Sequence, residues 1–153
     1  MEPMQRTVRY ENVRSVNAAG FSLIELMVVV VIIGVIAGIA YPSYRNHLVK
    51  TNRAAAQAYI TNLAAREEQV MLDNRGYVAA TAATLANTPI SLGVPPEVSR
   101  YYTMQVTIAT VPPPTYTITA TPLPGTMQAN DGFMTLDTAG IKTRMISSVD
   151  HGW

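Results

Sequence analysis

From Leu26 to Ala40 the chain reads LMVVVVIIGVIAGIA, a run with no polar side chain. Extended to residues 21–41 it holds a single charge, Glu25, close to its start. A helix of that length rises about 30 Å, the hydrocarbon thickness of a bilayer, so the pattern predicts a helix able to cross a membrane. A secretory signal peptide would show a shorter apolar core with its cleavage site after it. Here the run is long, and Asn17, Ala18, Ala19 and Gly20 come before it. Residues 1–20 are polar and basic without apolar periodicity and read as a leader or tail, not a folded element.

Pro42 removes a backbone donor and is expected to kink the helix. Beyond it the apolar pattern becomes one-sided. Ile60, Leu63, Ala64, Glu67, Val70 and Met71 fall at i, i+3, i+4, i+7, i+10 and i+11, a helical stripe interrupted only by Glu67. The helix is expected to continue over 42–75 and to stop at DNRGY, with Gly76 taking the left-handed C-cap conformation. Thr, Ala, Pro and Gly then dominate much of 76–100, which reads as a loop.

The period next changes to two. Tyr102, Met104, Val106 and Ile108 alternate with their neighbours in YYTMQVTIA, as Tyr116, Ile118 and Ala120 do in TYTITA. FMTLDTAGIKTR reads as a hairpin turning at Thr138, Ala139 and Gly140. Three or four short antiparallel strands over 101–146, polar on one face, need a cover for the other face. The amphipathic part of the helix is the available cover, and 147–153 remains as a tail. The expected class is α+β: a long helix packed on a small antiparallel sheet.

Composition narrows the function. The chain has 153 residues, 48% hydrophobic and 14% charged, with a net charge of +1. That argues against nucleic-acid binding through a basic patch, and against a disordered chain, which would be charge-rich and apolar-poor. The absence of cysteine removes disulfides, thiolate zinc sites and thiol nucleophiles. Arg6, Arg9 and Arg14 lie on one side of the apolar run and Arg45, Lys50 and Arg53 on the other, so charge does not orient it.

No nucleophile elbow, phosphate loop or dinucleotide fingerprint is present. His47 and His151 stand far apart with no carboxylate partner suggested by spacing and read as incidental. Asp131, Asp137 and Asp150 carry the oxygens that calcium prefers but lack the dense spacing of a calcium loop. No catalytic residue, metal or cofactor is expected. Gly34 and Gly38 form G-x-x-x-G, which lets two helices approach closely in lipid; the pair also fits the ordinary glycine content of membrane helices.

Glu25 is the residue out of place, because a carboxylate in hydrocarbon costs about 3 kcal/mol or more unless it is paired. It stands in G-F-S-L-I-E-L-M-V-V-V, after a polar, basic leader that ends in glycine. At these residues the chain resembles the type IV prepilins, which carry a short leader ending in Gly, then Phe-Ser/Thr-Leu-Ile-Glu and an apolar helix. Gly20, Phe21, Ser22, Leu23, Ile24 and Glu25 all match. AYPSYRNHLVKTNRAAAQ with Pro42 is similar to the family's next segment. DNRGYVA, LDTAGIKT and Trp153 are similar to stretches of its minor pilins.

The resemblance implies the type IV pilin fold and a sequence of partners. A prepilin peptidase in the membrane cuts on the cytoplasmic side between Gly20 and Phe21 and N-methylates Phe21. The protein then waits in the inner membrane as a single-pass chain, leader side cytoplasmic and C-terminal domain outside. An inner-membrane assembly platform adds it to other pilin subunits in an extracellular pilus. There Glu25 pairs with a Phe21 amine and sets register, while Gly34, Gly38 and Pro42 shape helix packing. Motility, adhesion, DNA uptake and surface sensing all use this scaffold. A type II secretion pseudopilin is the alternative; it shares the N-terminal motif but often uses calcium, for which the spacing here is poor. One departure stands out: relatives often have cysteines where this chain has Asp131 and Gly152, so their disulfide must be replaced by packing or hydrogen bonds.

Overall fold

A computed structural model describes residues 20–153. The leader expected over 1–20 therefore lies outside the described residues, apart from Gly20. The chain divides into two units, one ending at Ile39 and the other running Ala40–Trp153. Helix α1, Leu23–Asn74, keeps its helical assignment through Pro42. In the first unit every described residue is exposed. Leu23, Val31 and Ile39 are 76%, 64% and 72% exposed, so the apolar surface there runs all round the helix.

In the second unit α1 is one-sided. Ala56, Tyr59, Ile60, Leu63, Ala64, Glu67 and Val70 are buried, and the neighbours on the opposite face are exposed. Spacings of three and four residues place the seven on one stripe. The predicted stripe is thus the buried one, extended backwards by Ala56 and Tyr59, with Met71 half-buried at its end.

The stripe faces a six-stranded sheet of order β1-β2-β3-β4-β5-β6, antiparallel throughout. Its strands are β1 Ala80–Thr81, β2 Tyr102–Ala109, β3 Thr115–Pro122, β4 Phe133–Asp137, β5 Lys142–Ile146 and β6 Val149–Asp150. The β2–β3 pair carries the longest register, from Tyr102 opposite Pro122 to Ala109 opposite Thr115. Tyr102, Met104, Val106, Tyr116, Ile118, Ala120, Met134 and Leu136 point inward and join the helix stripe in one core. Fully burying an Ile, Leu or Met side chain of this kind contributes about 1.5–3 kcal/mol. Ile108, expected on the same face, sits near the hairpin end of β2 and is 36% exposed.

Three local features differ from the expectation. The strand count is six, because β1 and β6 are two-residue strands within 76–100 and 147–153. Two residues are too few to show an alternation. The segment read as a loop is also a lid on the core: Leu85, Ile90 and Val98 are buried. The Tyr59 hydroxyl donates to the Leu92 carbonyl at 3.0 Å and Arg66 Nε to that of Ile90 at 3.2 Å. Finally, the left-handed residue after α1 is Arg75, at φ 56°, and not Gly76. The Arg75 N–H closes on the Met71 carbonyl at 2.9 Å, so the reversal falls on the residue next to the last helical one.

Candidate functional site

Gly20, Phe21 and Ser22 precede the first turn of α1. Gly20 lies in open space, with nothing within 4 Å of where a Cβ would stand, and Phe21 is 85% exposed. The Ser22 carbonyl accepts the Leu26 N–H at 3.2 Å, which makes Ser22 the N-cap and Glu25 the third helical residue. Ser-x-x-Glu is the residue order of a capping box. A carboxylate in the first turn also sits at the positive end of the helix dipole. Among the described residues Glu25 has no ion-pair partner; the salt bridges there all involve Asp131.

Further along α1, a Cβ added at Gly34 or Gly38 would meet nothing within 4 Å. Nothing among the described residues therefore requires these positions to be small. The structure places Gly20, Phe21 and Glu25 at one helix end and strings Gly34, Gly38 and Pro42 behind them, without gathering them into a cavity.

The histidines and aspartates weighed in the sequence do not converge either. His47 and His151 are exposed, and no group of three His, Asp or Glu side chains able to hold a metal occurs among the described residues. Asp131 instead centres a buried polar cluster. Its carboxylate accepts Arg53 Nε at 3.0 and 2.9 Å, a further bond from Arg53 Nη2, and the Tyr102 hydroxyl at 2.6 Å. Gln128 Nε2 donates to the Tyr102 oxygen at 2.6 Å and to the Val49 carbonyl at 3.1 Å. The bond to Asp131 holds the Arg53 pKa above its ordinary value. Burial first, and then the bond to Asp131, pushes the Tyr102 hydroxyl up. The cluster fastens α1 to the turn before β4, where Gly132, at φ 82°, has no room for a side chain against the Met145 backbone.

Comparison with known families separates the readings. A family model described as type IV minor pilin ComP, DNA uptake sequence receptor, matches residues 42–134, more than half of the chain. The chain belongs to the type IV minor pilin family. A model of the prokaryotic N-terminal methylation motif matches residues 16–41, the segment of this pilin that holds Gly20, Phe21 and Glu25.

Its pilin relatives include a fimbrial protein of Pseudomonas aeruginosa, 36% identical over 74 residues, 48% of this chain and 47% of that one. The type IV wide pilus major component PilA4 of Thermus thermophilus is 31% identical over 70 residues, 46% and 53% of the two chains. The type II secretion system core protein G of Klebsiella michiganensis is 34% identical over 89 residues, 58% and 61%. The chain spans about half the length of the curated pilins it matches. No solved structure matches.

In this minor pilin Asp131 and Gly152 are joined through Arg144. Its Nε donates to the Gly152 carbonyl at 3.1 Å and its Nη1 to the Asp131 carbonyl at 3.2 Å. Asp150 completes the return: its Oδ1 accepts the Arg144 N–H at 3.0 Å and the Gly152 N–H at 2.9 Å. Trp153 Nε1 donates to the Thr143 carbonyl at 3.0 Å, with the Lys142 ammonium 4.8 Å from the ring centroid.

Proposed function

We propose that this minor pilin is made as a precursor, cut between Gly20 and Phe21, N-methylated at Phe21 and built into a type IV pilus through residues 21–41. The observation that carries this reading is Glu25. It lies one turn after Phe21 on an apolar helix left exposed among the described residues, and it has no ion-pair partner there. A carboxylate so placed is tolerated in an apolar interior once a cation meets it. Cleavage would create that cation on Phe21, and methylation keeps its charge while reducing its hydration. In a fibre, each Glu25 would meet the Phe21 amine of its own chain or of a neighbour, and a wrong stagger would leave it unpaired.

The partners of this reading are other pilin subunits, a prepilin peptidase that also methylates, and an inner-membrane assembly platform. The precursor would sit in the inner membrane, residues 1–20 cytoplasmic and 42–153 outside, before joining an extracellular pilus. The role is structural and not enzymatic, and it calls for no cofactor. Mass spectrometry of the mature protein tests it: the chain should begin at methylated Phe21, and an N-terminus anywhere else overturns the processing.

Two second readings have observations behind them. The identity to core protein G over 89 residues favours a type II secretion pseudopilin, which recovery from secretion pseudopili but not from sheared pili would support. The description of the family model favours DNA binding over 42–134. A broad phosphate-tracking surface is disfavoured by the net charge of +1 and by the engagement of Arg53 and Arg144 with Asp131. A gel shift of labelled duplex DNA that weakens with salt would establish that reading, and no shift at low salt would remove it.

A further inference from the structure

Among the described residues, Glu67 is the one buried acid that the fibre site and the Asp131 cluster leave unused. It breaks the apolar stripe of α1, yet it is 0% exposed. Its Oε2 accepts the Val78 backbone N–H at 3.1 Å, while its Oε1 is buried without a partner among the described residues. Val78 lies in the short segment that leaves α1 and enters β1, so this carboxyl ties the departing chain back to the helix.

Three titratable groups among the described residues face it. From α1 comes Glu68, whose carboxylate accepts the Tyr77 hydroxyl at 3.3 Å. From the departing segment comes Tyr77 itself, and from β3 comes Tyr116, whose ring lies edge-on to Tyr77 at 4.8 Å between centroids. Among the described residues, no cation acts on it. An ionised carboxylate here has given up water without a donor for Oε1, which favours the neutral acid. Burial first, and the charge of Glu68 after it, raise the Glu67 pKa, against the Val78 N–H, which lowers it.

The tied segment is held by little else along its backbone. β1 pairs with β2 only through Ala80 opposite Val106 and Thr81 opposite Gln105. Short pairings with exposed neighbours are where local opening costs least. We propose that Glu67 is a proton-operated latch on this segment: protonated, it holds residues 76–81 against α1, and ionised, it is relieved when the segment lifts and lets water reach Oε1.

The direction follows from linkage. The closed form binds the proton more tightly than the open form, so closure is complete below the ordinary carboxylate range. It is lost as pH rises through the raised value and levels off above it. Between those limits the opening constant rises by up to about tenfold per pH unit.

The test is amide hydrogen exchange of the full-length protein in detergent micelles, from about pH 4 to about pH 8, corrected for intrinsic exchange. Protection of Val78 and Ala80 should fall across that window in the wild type, while Ile118 and Ala120 in β3 stay level. Glu67→Gln, which keeps an acceptor for Val78 and nearly the same volume, should flatten the profile. Equal pH profiles for wild type and Glu67→Gln, or a level wild-type profile, would overturn the latch. Carbon-13 carboxyl NMR of the wild type is independent of the variant's folding. Glu67 should titrate above its ordinary value of 4.5 and in step with Val78 exchange, and titration at the ordinary value would equally overturn it.

Discussion

Arg144 holds Gly152 by a guanidinium-to-carbonyl hydrogen bond of 3.1 Å. The second arm of the same guanidinium reaches the Asp131 carbonyl, so one side chain from β5 ties the final residues to the turn that opens the last hairpin. A flat fork with fixed donors can do this; a point-charge ammonium on a flexible stem cannot span both oxygens. Arg144→Ala should therefore cost about 2 kcal/mol, since bonds from charged donors contribute more than neutral ones and this site is only partly exposed. Urea titration checks the loss, and proteolysis should begin after Ile146. Arg144→Lys should recover little of it.

The same return should be sensitive to acid. The Asp150 carboxylate is held below its ordinary pKa of 3.8, first by the Arg144 N–H and then by the Gly152 N–H. A lowered folded pKa means the contribution is present above the ordinary value and is lost as pH falls through the lowered one. The amide resonances of Arg144 and Gly152 should therefore shift together on acidification below that range. In Asp150→Asn they should not titrate.

At the other end of the chain, Glu25→Ala should leave cleavage largely intact but remove the protein from sheared fibres, as immunoblots of pilus and membrane fractions would show. Unchanged incorporation would end the register role. Gly20→Ala should leave the precursor uncut, so a mature-size band from that variant would move the cleavage site elsewhere.

Arg75 carries a left-handed backbone that an L side chain adopts at a cost. Arg75→Gly should raise stability by about 0.5–1 kcal/mol, less than the full strain because glycine also loosens the unfolded chain. Thermal unfolding measures it. A loss of stability would mean the Arg75 side chain supports the end of α1 in some further way.

The long periodic stretches were legible in one dimension. The Ile60-to-Val70 stripe and the alternations of β2 and β3 each repeat often enough to reveal which face is buried, and the apolar run shows a helix that is apolar all round. The motif from Gly20 to Glu25 needed only residue order, because its chemistry is local to one helix end. Short or long-range features were not legible. β1 and β6 are too brief to show a period, and the helix end fell one residue before its glycine.

Asp131 is the sharpest case. By spacing it is only a weak calcium donor, yet it meets Arg53, Tyr102 and Gln128 in one buried cluster. Glu67 likewise showed as a flaw in a stripe, and only packing revealed that its second oxygen has no partner. Periodicity encodes which side of an element avoids water. Which buried polar groups then find partners depends on residues far apart in the chain, and folding alone brings them within hydrogen-bond reach.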